Sequence, residues 1–557
     1  MKLRCTLVSS VLLLFGCPSP APEDVQVDGG VGGSASGSSS GGAGSTSTSS
    51  GAGSSSGAGS SSGATSSSAG TSSSGAGTTS TTSSGGVSGS SFSSSSSSAT
   101  STASSSTSAS SSSGGACALT VPPDEDPWMM HPPAYGTGGV TVRTQGGHTD
   151  VFLDNPTNYT RIGARLDWGG SVVFFGLVDN PDSNVIDAND TGRELQLALY
   201  DPERVAQGCA HNASCLTSTP PCAGSITYLG WNPVQGGDEC GHGSPATHAE
   251  LSDGLEVTVN PLQWNPDWNA PDCRQSACGA SGVPVGVVYV MQFRFLTQHV
   301  VQLKLEVRSE ETIDHVVTTQ EFPTLYVAHG QDGPDLPLLL DANGNTISID
   351  QPANDGFFVK DFTSSRPWVT FQNSTRDYGV GLAMDQGVLG FQGWHGNGSN
   401  APYFHNVRAH IAFGLRAGRV VRGVAYLALG SEGTVRTELE GVLAQRAPFG
   451  SLDAPASGTP VVVDAGTAIP VGGWALDSEG GTTVEALVDG VSRASLALEL
   501  DRNDVCEVYP AYQPCPRPGF SGVVPTDGLS GCHRLTVQAR DADGNTQVLG
   551  ERVLEIR

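Results

Sequence analysis

Carboxylates, amides and a guanidinium crowd one short stretch, Asp187-Ala188-Asn189-Asp190-Thr191-Gly192-Arg193-Glu194-Leu195-Gln196. If the leucines that follow face a core, Glu194 and Gln196 share the opposite face of one strand, with Asp190 and Arg193 at its mouth. Sugar hydroxyls need paired donors and acceptors, and such a set on a concave sheet face supplies them. The same residues also suit a solvated strand face behind an Asp-rich turn. In a third reading Asp187, Asn189 and Asp190 offer oxygen ligands to calcium, although the full EF-hand pattern is missing. No other cofactor is expected.

A second group is Trp231, Asn232, Gln235 and Asp238, read as a Gly/Pro-rich loop bounded by cysteines. Trp394 and His395 add aromatic surface from another loop, and sugars stack their apolar faces on such rings. Any one of these tryptophans would serve equally in a core. The third group is His315 followed by Gln320 and Glu321. Glu321 with Glu194 or Asp238 would make the carboxylate pair of a glycosidase. Glu321 as base with His299 or His315 as acid would suit proton transfer at a sugar carbon or ring oxygen. A structural histidine and an ion-paired glutamate are the plain alternative.

The elements that must position these groups read as strands. Arg161 to Asp167, Glu194 to Leu199, Met291 to Phe295 and Val301 to Arg308 alternate polar and apolar residues, the mark of half-buried antiparallel sheet. No segment of twelve or more residues shows a convincing helical period. The expected class is all-β, with a large antiparallel β-sandwich over 117–450 and a small sandwich over 455–557. Ala, Pro, Gly and Ser gather at the boundary, between Pro448 and Pro460. The last two strands should run from Arg534 to Arg540 and from Val548 to Ile556, joined through Asp543-Gly544-Asn545.

Arg161-Ile162-Gly163-Ala164, Gly192 to Gln196, Trp231 to Asp238, Gln320 to Tyr326 and Arg366-Pro367-Trp368 through Leu382 together resemble the β-supersandwich of galactose-mutarotase-like domains. That resemblance implies a polysaccharide or glycan partner; if the protein is an enzyme, it implies a glycoside hydrolase, polysaccharide lyase or epimerase. Gly473-Trp474-Ala475-Leu476-Asp477, Val488-Asp489-Gly490, Arg502 to Val505 and Gly531-Cys532-His533 resemble a small Ig-like module of bacterial secreted proteins. Its implied role is that of a spacer or binding accessory. The competing reading of the whole is a non-catalytic adhesive or structural surface protein.

A net charge of −27, with no basic cluster, argues against nucleic acid as a partner. No Gly-rich phosphate loop opens a helix, and no credible nucleophile elbow occurs. His395, His405 and His410 lack the spacing of a metal site, and none is expected. Of twelve cysteines, ten lie beyond Cys17, seven centrally and three near the end. Disulfides are favoured over zinc, and local pairs such as Cys209–Cys215, Cys222–Cys240 and Cys273–Cys278 are plausible. Because each region holds an odd number, either one bridge joins the two or each keeps a free thiol.

Lys2 and Arg4 precede a short apolar run ending in Leu14-Phe15-Gly16-Cys17. The run is too short to span a bilayer, and residues 1–16 read as a signal peptide. The ending resembles a bacterial lipobox, which implies lipid on Cys17 and an envelope location, outer membrane and surface-exposed. Residues 17–116 are dominated by Ser, Gly, Thr and Ala, and such a chain cannot offset its own entropy by burial. A flexible coil of roughly 90 residues spans about 50 Å root-mean-square, enough to hold a body off a membrane. Cys17→Ala should move the protein from the membrane fraction to the soluble one on cell fractionation. Quantitative retention on the membrane would contradict the anchor.

Overall fold

The computed structural model describes residues 117–129, 134–188, 194–201, 229–232, 234–235, 242–263, 285–328, 333–349, 356–397 and 404–557. Cys17, the Ser/Gly segment and Cys209, Cys215, Cys222, Cys240, Cys273 and Cys278 lie outside them. Among the described residues the architecture is almost all β. A four-stranded meander, Gly139–Gln145, His148–Asp154, Thr160–Arg165 and Ser171–Leu177, opens the large sandwich in chain order.

Two larger antiparallel sheets follow. The first has nine described strands, with Gly379–Met384, Val420–Gly430, Val300–Ser309 and Val287–Phe295 side by side. The second aligns Gln196–Asp201, Thr318–Val327, Phe404–Ala409, Gly390–Asn397 and Gly356–Thr363. The period-two pattern decides what each face does. Val301, Leu303, Leu305 and Val307 from one sheet and Leu197, Phe322, Leu325, Val407 and Phe391 from the other join one apolar cluster. Each such side chain, fully buried, contributes about 1.5–3 kcal/mol relative to exposure. A methyl on Gly423 would lie 2.5 Å from the Phe322 ring. Glycine there is therefore a condition of the close approach of the two sheets.

One helix corrects the sequence reading, which found no convincing helical period of this length. Glu432–Leu443 is a twelve-residue α-helix whose N-cap, Ser431, accepts from the Thr434 amide at 3.1 Å. Val435, Leu439, Val442 and Leu443 recur at helical spacing and pack with Val300, Trp368, Tyr426 and Ala428. Gly433, Gly441 and two threonines dilute the pattern in the sequence.

The C-terminal unit is a second, smaller two-sheet sandwich. Its first strand, Phe449–Ala454, pairs with Ile469–Leu476. The closing hairpin, Gly531–Arg540 with Thr546–Ile556, turns where Asp541 accepts the Asn545 amide at 2.8 Å. Cys506 bridges Cys515, and Cys117 bridges Cys532 across 415 residues. The second bond is the joining bridge that the odd cysteine counts allowed.

The two sandwiches meet through a buried carboxylate. Asp385 accepts from the Tyr426 hydroxyl of the large sandwich and from the Tyr512 hydroxyl of the small one, both at 2.7 Å. Burial, and then the Asp385 charge, push both phenols well above their ordinary pKa. Trp128, Phe449, Trp474, Tyr509 and Tyr512 form an apolar cluster beside it.

Candidate functional site

The face of the second sheet that points away from the shared core carries polar side chains in register. Gln196 pairs with Thr324, Thr324 with Arg408, Arg408 with Gln392, and Gln392 with Asp361. Directly opposed residues of adjacent strands share a face, so these five form one row across five strands. The neighbouring row on the same face runs through Tyr326, Asn406, Trp394 and Val359. A one-residue irregularity between Glu321 and Thr324 lets both stand on this side.

The row is hydrogen-bonded along its length. Arg408 donates from Nη1 to Glu321 Oε1 at 3.0 Å, and from Nε to Gln392 Oε1 at 3.0 Å. Trp394 Nε1 donates to the same Gln392 oxygen at 2.8 Å, which sets the indole's orientation. Gln392 Nε2 donates to Asp361 Oδ1 at 2.7 Å, and His410 Nε2 lies 3.0 Å from that oxygen. Exposure rises along the row. The side chains of Arg408 and Glu321 are 1% and 3% exposed, whereas that of Asp361 is 65% exposed. Trp394 is half-buried and Val359 is exposed. The network therefore begins in the interior and opens to solvent at Trp394, Asp361 and His410.

Two buried polar atoms on this face, Thr324 Oγ1 and Asn406 Oδ1, have no hydrogen-bond partner among the described residues. Such atoms cost about 1–3 kcal/mol each when left unmade, and a ligand hydroxyl or ordered water would satisfy them. Burial, with the Glu321 charge as a second cause, raises the phenol of Tyr289 well above its ordinary pKa.

The residues singled out in the sequence divide. Glu321 and Trp394 belong to the network, and Gln196 begins the row; all three lie on one face. Glu194 is buried two residues from Gln196 along the same chain. Asp187 is buried, and its amide donates to the Tyr326 carbonyl at 3.2 Å. Asn189, Asp190, Arg193 and Asp238 lie outside the described residues. Trp231 and Asn232 are not in a loop as expected. They form part of the strand Leu229–Asn232, next to Gln196–Asp201, and Gln235 ends the two-residue strand Val234–Gln235.

Four expectations are corrected. Gln320 is a backbone clamp: its amide accepts from Tyr200 N at 2.7 Å and donates to the Tyr200 carbonyl at 3.0 Å and the Phe413 carbonyl at 3.2 Å. His395 points to the other side of its strand from Trp394, into the inter-sheet core. Its ring lies 4.5 Å from that of His405, which in turn stacks on Phe371. His299 lies in the turn between the opposite sheet's strands Val287–Phe295 and Val300–Ser309, where Nδ1 meets the Leu429 carbonyl at 3.0 Å and the ring edges Tyr159. His315 is held apart from Glu321 by its own carboxylates, with Nδ1 2.8 Å from Asp201 and Nε2 2.7 Å from Glu311.

Sequence reasoning passed over Arg408, Gln392, Asn406 and Asp361. The signal was present in Phe404-His405-Asn406-Val407-Arg408-Ala409, where Asn406 and Arg408 stand two apart, on one side of a buried strand. Among the described residues no group of three or more His, Cys, Asp or Glu could hold a metal ion.

No family model matches the chain, and no curated protein matches it. Solved structures similar to it include a polysaccharide lyase at 10% identity, with a TM-score of 0.27 over 72% of this chain and 47% of the lyase. A 4-alpha-glucanotransferase from Thermococcus litoralis matches at 8% identity and a TM-score of 0.27, over 52% of this chain and 39% of that one. An aldose 1-epimerase-like protein of Escherichia coli K12 matches at 12% identity and a TM-score of 0.26, over 53% of this chain and 100% of that one. The chain thus spans less than half the length of the lyase and the glucanotransferase. At these scores the likenesses carry no argument about function, which rests on the site itself.

Burial opposes charge on His315, but the hydrogen bonds and charges of Glu311 and Asp201 outweigh it and raise its pKa. With the folded value raised, the stabilisation is full below the unfolded imidazole value of about 6.5 and is lost as pH rises through the folded value. The urea midpoint of the native protein should therefore exceed that of His315→Gln most at about pH 6, and the gap should close as pH rises through the raised folded value. A gap that stays constant across this range would show that His315 carries no linked proton.

Proposed function

We propose that the protein is a lipid-anchored cell-surface protein whose large sandwich binds a glycan at the open end of the Glu321–Arg408–Gln392–Trp394–Asp361 network. One observation carries this reading: a hydrogen-bonded polar row, in register across five strands, that leads from buried groups to a mouth of one half-buried aromatic and one exposed carboxylate. A sheet face needed only for packing would bury apolar side chains, as the opposite face of the same strands does. At the mouth, Trp394 offers a ring for the apolar face of a sugar, while Asp361 and His410 offer an acceptor and a donor for its hydroxyls.

Binding is favoured over bond cleavage because Glu321 and Asp361 are both already engaged by protein donors. Lys2, Arg4, the apolar run and Cys17 support the lipid anchor, and the small sandwich suits a spacer of the Ig-like kind.

Isothermal titration of the mature protein against neutral and acidic oligosaccharides tests the reading. Asp361→Asn should weaken a binding glycan about 5- to 150-fold, since an unmet hydroxyl costs about 1–3 kcal/mol, and Trp394→Ala should weaken it by removing the ring on which the sugar stacks. Binding unchanged in both variants would place the glycan elsewhere, and no binding across the panel would leave the adhesive or structural reading.

A further inference from the structure

The segment Cys117–Trp128 runs along the small sandwich and meets Arg422 and Lys304 of the large one at its end, with almost no regular structure of its own. Its one described element is the 3-10 turn Pro127–Met129. At its start, Cys117 is bonded to Cys532 of the small sandwich, and Arg534 donates to the Thr120 carbonyl at 3.2 Å. Midway, Arg552 of the small sandwich donates to Asp124 at 2.7 Å. Arg422 of the large sandwich then donates to Asp126 at 3.1 Å, and Asp126 in turn accepts the Trp128 amide at 3.0 Å. At the end, Trp128 is 5% exposed, in the cluster with Phe449, Trp474, Tyr509 and Tyr512. The Arg422 guanidinium sits 4.9 Å from its ring centroid, and the Lys304 ammonium 5.9 Å.

We propose that Cys117–Trp128 is a strap that locks the small sandwich onto the large one, and that the lock is conditional on the Cys117–Cys532 disulfide. The strap has a covalent anchor at one end, an aromatic anchor at the other, and ion pairs between. The carboxylates of those pairs reach solvent, which screens them, so neither pair holds the strap alone. While the disulfide is closed, a departed Trp128 stays tethered beside its cluster and rebinds at high effective concentration. With the bond open, the strap's first residues are released and can fray from residue 117 inward.

Cys532 is exposed and Cys117 half-buried, so thiols can reach the bond. A dithiol reductant suffices. Its first thiolate attacks one sulfur to give a mixed disulfide and a free cysteine, and its second thiolate displaces the other cysteine. The reductant leaves as a cyclic disulfide, with two electrons and two protons passed to Cys117 and Cys532. Because the Ser/Gly segment joins the body at Cys117, any pull along it reaches the small sandwich through this bond. The proposal does not depend on the identity of the glycan.

The test is limited proteolysis of the mature protein with a glutamate-specific endoprotease, following cleavage after the exposed Glu125. The Cys117→Ser/Cys532→Ser variant should be cut there at least tenfold faster than the native protein, with Trp emission shifted to the red. Cys506→Ser/Cys515→Ser, whose bridge packs beside the Trp128 cluster but leaves residue 117 fixed, should be cut more slowly than Cys117→Ser/Cys532→Ser. Equal cleavage of the native and Cys117→Ser/Cys532→Ser proteins would overturn the proposal. If that variant fails to fold, graded dithiothreitol on the native protein replaces it, with peptide mapping of the bridges. Loss of the Cys117–Cys532 bond without faster cleavage after Glu125 would overturn it equally.

Discussion

A guanidinium and a carboxylate buried together in a β-sheet set the terms for everything around them. Arg408 and Glu321 are each almost wholly removed from water, a transfer that costs several kcal/mol per ion before their attraction repays it. Neither charge is tolerable alone, and the remaining donors of Arg408 require acceptors. Gln392 supplies one, and its own amide then needs Asp361. The chain of requirements runs outward until it reaches solvent. Strand register makes this feasible, because Thr324, Arg408, Gln392 and Asp361 are directly opposed on adjacent strands. A slip of one residue would turn Arg408 into the apolar core.

The same logic, with different groups, holds the two sandwiches together. Asp385 accepts one phenol from each side, so separating the units would break its bond to Tyr512. Lys304, beneath the ring of Trp128, is lowered to about 7 by burial, and then by the charge of Arg294. The outer face of the nine-stranded sheet is covered, by the helix Glu432–Leu443 over Val300, Trp368, Tyr426 and Ala428 and by Trp128 over Lys304. The outer face of the other sheet is polar and opens at one edge. It is for this opening, rather than for polarity, that the proposed glycan site is placed on the second face.

The strands were legible because period-two alternation survives in single segments such as Val301 to Arg308, where one residue in two faces the core. Gln196 stood in such a segment, whereas Glu321 and Trp394 were singled out by residue type alone, Trp394 in what was expected to be a loop and is the strand Gly390–Asn397. Their partners were not legible, because what makes Arg408 and Gln392 important is cross-strand register between segments far apart in the chain. Gln320 and His395 misled for the complementary reason. Their types suit a sugar site, yet Gln320 spends its amide on the backbone of neighbouring strands and His395 lies on the other side of the pleat. The helix Glu432–Leu443 was hidden by its glycines. The bridge from Cys117 to Cys532 left only a parity clue, since nothing local in either segment announces a partner 415 residues away.

The central claim is that the buried pair persists for recognition rather than for stability. Replacing either partner alone leaves a lone buried charge and costs about 3–5 kcal/mol, whereas replacing both with apolar residues of similar volume is often neutral or stabilising. The direct measurement is a double-mutant cycle on Glu321→Leu and Arg408→Met, with urea unfolding and glycan titration on each protein. The doubly substituted protein should unfold at a midpoint equal to or above the native one while glycan binding falls at least tenfold. A double variant as unstable as the sum of its single changes, or one that binds glycan normally, would contradict the account.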